Sequence, residues 1–402
     1  MIFELDNKYI KLNYSLQFSI GILGFFIYLI LGNRYELVEL ADFFKVVAYI
    51  SIIQIITDYG FDYGNLRNIN ISKIKKTNLL ISTSSVKIVF GIGSFILSFI
   101  LSCFTDLTFE PTLIFLGAIL SILNLSWFFY LTKNSFVYGL FSLSFRIVAL
   151  FYLFFFVGSA FNLNIILAVL YIPIILPTII FIIYYYYYDK EEFSQSQLEI
   201  NFLKSIKDNF TIFFNNVLVS IITTSWPLTL SVFVAPEMVS VYGFIEKVNK
   251  GLLLAFRPLP FFLLTGSIKI KNLIKENLIF SYKKFLILIV LFIIVIILIF
   301  NLDFILNLFF SNKFIDYMSY FQFYLIQIPI TLSLMIIYTY LIQDNLEGLY
   351  SISNLIGLIF VLILSSFIKV NIFFPLIFEL AVLIIIPVAL FIRAGFKKFQ
   401  KY

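Results

Sequence analysis

The sequence consists of long apolar runs separated by short polar connections, and this pattern constrains the fold more than any other feature. Residues 285–300 contain no polar side chain, and runs of similar composition recur along the whole chain. A helix needs about 20 consecutive apolar residues to cross the hydrocarbon core of a bilayer. Only 12% of the residues are charged, about half the usual share in soluble domains. The pattern therefore predicts an all-α membrane protein without a soluble catalytic domain.

Apolar runs of about 18–25 residues predict about 12 transmembrane helices. They fall at 12–31, 40–58, 84–103, 111–131, 138–158, 162–187, 210–234, 238–264, 284–302, 317–341, 350–368 and 371–393. The longest connection on the side of the termini is polar and divides these spans six and six. We therefore predict an N-terminal six-helix lobe at 1–188, a cytoplasmic linker at 189–209 and a C-terminal six-helix lobe at 210–402.

The distribution of Lys and Arg predicts the orientation of these spans. Most basic residues, Lys87 included, fall at the side that carries both termini, whereas only Arg34, Lys313 and Lys369 fall at the other. Cytoplasmic loops carry an excess of basic residues. Both termini are therefore predicted to be cytoplasmic, in a multi-pass protein. The net charge of +6 reports this topology, and no nucleic-acid partner is expected.

Several kinds of chemistry are excluded by the composition. The chain has no histidine and a single cysteine, Cys103, which excludes histidine metal sites, histidine-dependent triads and disulfides within the chain. It also lacks the Gly-x-x-x-x-Gly-Lys-Ser/Thr sequence of an ATP-binding loop. No cofactor is therefore expected, and coupling to a gradient of H⁺ or Na⁺ is the default source of energy.

Charged residues inside predicted spans are the main functional candidates, because each costs about 2.5–3.5 kcal/mol at the bilayer centre unless it is paired or hydrated. Span eight contains Glu246, Lys247, Lys250 and Arg257. Its three cations share one helical face and would line a water-filled cavity. In the alternative interpretation, Glu246 neutralises Lys250 one turn away and Arg257 extends to the inner interface.

Three other spans carry isolated charges. Arg146 lies in span five, and arginine binds phosphate through two parallel hydrogen bonds. Lys45 either pairs with Asp42, three residues earlier, or contributes to a site. Glu379 in span twelve is either protonated and structural or part of ion coupling. The balance predicts a positively charged cavity with cations from both lobes, suited to a compact anionic group.

Three short motifs carry a resemblance to a known family. They are Asp58-Tyr59-Gly60-Phe61-Asp62 with Arg67, then Trp127-Phe128-Phe129, then Ala235-Pro236-Glu237-x-Val239-x-x-Tyr242 with Glu246-Lys247. In this order the chain resembles the bacterial O-antigen and polysaccharide flippases of the multidrug/oligosaccharidyl-lipid/polysaccharide exporter superfamily. Ser240 stands where the family usually has glycine.

The resemblance implies a V-shaped pair of lobes in the bacterial plasma (inner) membrane. It implies that the protein moves an undecaprenyl-diphosphate-linked oligosaccharide from the inner to the outer leaflet by alternating access, while the lipid tail stays among membrane lipids. A polymerase and a chain-length regulator are candidate partners. On this basis we assign diphosphate binding to Arg146, Lys247, Lys250 and Arg257, with Lys45 as a further candidate. Ion coupling is assigned to Asp58, Asp62, Glu246 or Glu379.

Two rival functions remain open. A drug or cation exporter of the same superfamily should have an acidic cavity, whereas the charges within the spans lean positive. A membrane polysaccharide polymerase or glycosyltransferase of the same pathway would usually need a large external loop. The largest external gap, 301–320, is short and mostly apolar.

Overall fold

The regular structure of the described residues is entirely helical. The computed structural model describes residues 7–62, 64–65, 76–104, 111–125, 128, 135–158, 161–188, 202–254, 312–343 and 346–399. The first half contains α1 (Asn7–Arg34), α2 (Leu37–Asp58), α3 (Lys76–Phe104), α4 (Pro111–Ile122), α5 (Ser135–Phe155) and α6 (Leu163–Tyr188).

The second half has more and shorter elements. It contains α7 (Phe202–Ile222), α8 (Trp226–Phe233), α9 (Pro236–Leu254), a 3₁₀ helix (Asn312–Tyr317), α10 (Met318–Leu325), α11 (Gln327–Gln343), α12 (Glu347–Phe367) and α13 (Phe374–Phe399). Helix α7 therefore begins within the segment 189–209 that the sequence assigns to the linker.

The helices coincide with the apolar runs. Each predicted span except the ninth, 284–302, overlaps a helix, and that span lies outside the described residues. In the described part of the chain, seven helices are long and apolar enough to cross a membrane. Large apolar side chains such as Val148, Phe155 and Ile363 are more than half exposed, as expected for surfaces that face lipid. The protein is therefore a multi-pass helical membrane protein.

Helix packing places α9 between the two halves of the chain. Helix α1 packs on α5, α2 packs on α3 and α4, and α5 packs on α6. In the second half, α12 packs on α7 and α13, and α11 packs on α13. The halves meet where α9 packs on α1 and α2, and where α7 and α8 pack on α2. Side chains from both halves are thus brought together around α9.

The turn between α1 and α2, at the predicted outer end, is closely packed against the second half. An added Cβ at Gly243 of α9 would lie 2.3 Å from the Phe44 ring, and one at Gly32 would lie 2.7 Å from the Phe244 ring. The Ser240 hydroxyl donates a hydrogen bond to the backbone carbonyl of Leu37. Ser240 therefore joins α9 to the start of α2.

Two of the membrane-spanning stretches are interrupted. The span Ser205–Phe233 is broken at residues 223–225, between α7 and α8, and Met318–Thr339 is broken at Ile326, between α10 and α11. Inside a bilayer, irregular backbone is tolerated only where it is buried in protein or lines a polar cavity. At both interruptions the backbone N–H groups are bonded to carbonyls of the preceding turn.

Candidate functional site

The charged residues of α9 form one ion-paired group. Glu246 is buried, and its carboxylate pairs with Lys250 one turn later and with the adjacent Lys247, whose Nζ lies 3.3 Å from Glu246 Oε2. The ion-pair interpretation of Glu246 and Lys250 is thus confirmed, and Lys247 shares the same carboxylate. One negative charge serves two cations, so the group keeps a positive balance. The Lys250 side chain is 45% exposed, which leaves it accessible to a ligand.

Arg146 brings a cation from the first half of the chain to the same place. An added Cβ at Gly24 of α1 would lie 3.0 Å from Arg146 Nη1, so the guanidinium group packs against α1. The Tyr28 side chain, one turn further along α1, interacts electrostatically with Glu246, Arg146 and Lys250. That Arg146 and Lys250 share a site stays a prediction; the structure brings α9 to the same turn of α1, where Phe25 lies against Gly251, the residue after Lys250.

Glu379 of α13 lies in a buried polar network beside this group. Its two carboxylate oxygens accept hydrogen bonds from Gln327 Nε2 at 2.9 Å and from Thr331 Oγ1 at 2.7 Å. Asn249 of α9 donates to Gln327 Oε1 at 3.2 Å and to the Tyr324 carbonyl at 2.8 Å, next to the helix break at Ile326. Lys250 interacts electrostatically with Glu379. The network therefore connects Glu379 to α9 and to the cationic group.

The first motif forms a second charged cluster, at the predicted inner end of the first half. Lys87 of α3 is fully buried and pairs with Asp58 at the end of α2. Its Nζ also donates to the carbonyls of Ser121 at 3.1 Å and Asn124 at 3.0 Å. Asn124 in turn donates to Asp62 Oδ2 at 3.1 Å. From its position in the sequence, Lys87 counts among the basic residues that mark the cytoplasmic side. The structure instead places it inside the protein, where Asp58 neutralises its charge.

The motif residues between these acids also join the two halves. Tyr59 has φ 51° and Gly60 has φ 74°, a left-handed turn that ends α2. The Tyr59 ring stacks between Phe90 of α3 and Phe213 of α7, with ring centroids 4.8 and 4.3 Å apart. The motif therefore packs the predicted inner end of α2 against the middle of α7.

The remaining sequence candidates are separate from these groups or outside the described residues. Lys45 pairs with Asp42 on its own helix, with Nζ and Oδ1 2.5 Å apart, as one of the two sequence interpretations stated. Arg257, Trp127 and Phe129 lie outside the described residues. Within the described part of the chain, no group of three or more Cys, Asp or Glu residues could hold a metal ion.

Comparison with known proteins gives one informative likeness. No protein-family model matches the chain, and no curated protein matches it in sequence. Among solved structures, it is similar to a multidrug resistance MATE family transporter of the MOP superfamily in an inward-facing conformation. The TM-score is 0.59 and the identity 13%, over 97% of this chain and 98% of that chain. The likeness shows that the chain shares the fold of that structure.

Proposed function

We propose that the protein is a flippase for a lipid-linked oligosaccharide that carries a diphosphate, such as an undecaprenyl-diphosphate-linked repeat unit of a bacterial surface polysaccharide. The observation that carries this proposal is that Arg146 from the first half and the α9 segment that bears Lys250 pack against the same turn of α1, where Gly24 faces Arg146 and Phe25 faces Gly251. A diphosphate bound there would contact both halves at once. Its binding and release would therefore couple to movement of the halves in alternating access.

The nearest alternative is a drug or cation exporter, which the fold supports equally well. Glu246 and Glu379 are the acids that a cationic substrate would need. The three cations Arg146, Lys247 and Lys250 outnumber these two carboxylates. Both Glu246 oxygens already bind lysines. An anionic substrate is therefore favoured. A polymerase or glycosyltransferase has less support because the fold is that of a transporter.

Glu379 is the carboxylate that we propose for ion coupling. Asp58 neutralises Lys87, Asp62 is bound by Asn124, and Glu246 is shared by two lysines. Glu379 is buried and accepts hydrogen bonds only from neutral side chains in the described part of the chain. A proton or Na⁺ at this carboxylate would change the net charge beside Lys250, and hence the affinity of the site for an anion.

A binding experiment separates the two transporter functions. The full chain is placed in lipid nanodiscs, and the affinities of farnesyl diphosphate and of tetraphenylphosphonium are measured. We expect farnesyl diphosphate to bind, and Arg146→Gln and Lys250→Gln each to weaken it by about tenfold or more, since each removes a charge-assisted hydrogen bond. Lys45→Gln is the matched control, because Lys45 pairs with Asp42 on its own helix. The affinity of this variant for farnesyl diphosphate should equal that of the wild type.

The opposite pattern would reject the flippase. If tetraphenylphosphonium binds and farnesyl diphosphate does not, the protein is a cation exporter. If farnesyl diphosphate binds but both variants retain the wild-type affinity for it, the assigned site is wrong.

We propose that the protein lies in the bacterial plasma membrane, with a polymerase and a chain-length regulator as candidate partners.

A further inference from the structure

A cavity of about 260 Å³ lies between α2, α7, α11 and α12, apart from the charged residues described above. Six of its eight lining residues carry neutral hydrogen-bonding groups, and the other two are aliphatic. The six are Asn215, Asn216, Ser220, Thr224, Tyr338 and Tyr350. At about 30 Å³ for each water molecule, the space corresponds to eight or nine waters, enough for one sugar ring.

The backbone around this cavity is interrupted within the bilayer. Thr224, which lines the cavity, lies in the break between α7 and α8, inside the membrane-spanning stretch Ser205–Phe233. In transporters, discontinuous helices form substrate sites near the middle of the membrane. The break is an observation independent of the residues that line the cavity, and it places Thr224 at an interruption of this kind.

Two of the lining groups are available to a ligand. In the described part of the chain, no protein group forms a side-chain hydrogen bond with Asn216 or Thr224, whereas the neighbouring Thr223 hydroxyl donates to the Val219 carbonyl at 2.9 Å. The Asn215 amide is held by the Glu347 carbonyl at 3.3 Å. The Asn216 and Thr224 side chains are partly exposed and line the cavity, so a ligand in it can reach them. A ligand with several hydroxyl groups would satisfy Asn216 and Thr224 together.

The cavity adjoins the cationic group of the proposed flippase. Tyr242 of α9 lies one turn before Glu246, and its hydroxyl donates to the Thr223 carbonyl at 3.0 Å. Thr223 immediately precedes the cavity residue Thr224. The Tyr242 hydroxyl thus joins α9, the helix of the cationic group, to the helix break beside the cavity.

We infer that this cavity is a carbohydrate subsite that binds a neutral sugar ring of the transported headgroup, with Asn216 and Thr224 hydrogen-bonding its hydroxyl groups. This inference rests on the proposed flippase function. Among the described residues, the lining of the cavity has none of the cations that a diphosphate requires and none of the carboxylates that an organic cation requires. An apolar drug would leave its amides and hydroxyls without partners. A sugar combines hydroxyl groups with apolar C–H faces, which matches a lining of amides, hydroxyls, aliphatic groups and tyrosine rings.

The test separates the sugar from the diphosphate by using probes that carry only one of them. Affinities for farnesyl glucoside, farnesyl galactoside, farnesyl N-acetylglucosaminide and farnesol are measured with the full chain in nanodiscs. We expect at least one glycoside to bind more tightly than farnesol. Asn216→Leu and Thr224→Val should each weaken that glycoside by about tenfold, while farnesyl diphosphate affinity is unchanged. Thr224→Val keeps the side-chain shape, so it remains informative if Asn216→Leu does not fold.

Thr223→Val is the matched control, because it is the same substitution at the adjacent residue, whose hydroxyl is engaged by Val219. The subsite is overturned if no glycoside binds more tightly than farnesol, if Thr224→Val leaves the glycoside affinity unchanged, or if Thr223→Val lowers it equally. A failure of the flippase proposal is seen separately, as absent binding of farnesyl diphosphate or as binding that Lys250→Gln does not weaken. The glycoside measurement does not depend on that result, because its probes carry no diphosphate.

Discussion

Buried charge in this protein has two different uses at the scale of single residues. Lys87 is fully buried beside Ile88 and Val89, which are about half exposed on the same helix. Three acceptors bind its ammonium group. Two of them are carbonyls at and just beyond the end of α4, where the helix dipole favours a cation. Lys250, by contrast, shares one carboxylate with Lys247 and stays partly exposed. The first lysine is structural, and the second is available for binding.

Removal of one partner of the Lys87–Asp58 pair is expected to destabilise the protein strongly. Asp58→Asn leaves a buried ammonium group without its counter-charge, which typically costs about 3–5 kcal/mol of the free energy of unfolding. The measurement is an unfolding titration with SDS in mixed micelles. Asp42→Asn breaks the exposed Asp42–Lys45 pair and should cost less than about 1 kcal/mol. Equal effects of the two substitutions would show that the buried pair is not structural.

Glu379 predicts a pH dependence of anion binding. Protonation of this carboxylate would remove a negative charge near Lys250, so farnesyl diphosphate should bind more tightly as the pH falls. Glu379→Gln keeps a hydrogen-bonding side chain but cannot titrate, and it should flatten the affinity profile from mildly acidic to mildly alkaline pH. Glu237→Gln, at the start of α9, controls for titration of the diphosphate itself. Identical profiles for the wild type and both variants would exclude Glu379 from coupling.

At the scale of helices, α9 is held against the first half by glycine. Gly243 allows the Phe44 ring of α2 to lie against the α9 backbone, and the Phe44 and Phe244 rings meet edge to face with centroids 6.1 Å apart. Glycine inside a helix is destabilising by about 0.5–1 kcal/mol relative to alanine. At Gly243, close packing between two helices offsets that cost.

The prediction for α9 is that a single methyl group at this contact is harmful. Gly243→Ala places a Cβ 2.3 Å from the Phe44 ring, and overpacking of this kind typically costs about 1–3 kcal/mol. Gly93→Ala is the matched control in α3, because nothing lies within 4 Å of its added Cβ. Thermal unfolding in detergent should show a lower midpoint for Gly243→Ala and an unchanged or higher one for Gly93→Ala. A normal midpoint for Gly243→Ala would mean that α9 does not pack on α2 in this way.

At the scale of the whole molecule, the sequence predicts the helices better than their contacts. Apolar run length determines whether a segment can span a bilayer, so most helices could be located from composition alone. Run length cannot show which way Lys87 points or that Tyr28 lies beside Arg146, because these contacts join helices distant in sequence. The breaks at 223–225 and Ile326 lie just before Pro227 and Pro329; proline indicates a kink in a span, but not whether the helix is interrupted. The cavity at Asn216 depends on one of these breaks.

Alternating access predicts that the outer end of the molecule must open during transport. Glu36, in the turn between α1 and α2, pairs with Lys313 of the 3₁₀ helix, with Oε1 and Nζ 2.9 Å apart. Both side chains are accessible enough for chemical labelling, and the pair joins the two halves. In a Cys103→Ser background, Glu36→Cys with Lys313→Cys can be cross-linked by a short bis-methanethiosulfonate. We expect the cross-link to stop translocation of a fluorescent farnesyl-diphosphate glycoside in proteoliposomes, and a reductant to restore it.

The control uses the same chemistry within one helix. Asp42→Cys with Lys45→Cys in the same background joins two residues three apart on α2, which move together whether the halves open or not. This cross-link should leave translocation unchanged. If the site is reached from the inner side, both cross-linked proteins should still bind farnesyl diphosphate. Full translocation by protein cross-linked between positions 36 and 313 would show that the halves do not separate there. The substrate would then have to leave without opening of the contact between α2, α9 and the 3₁₀ helix.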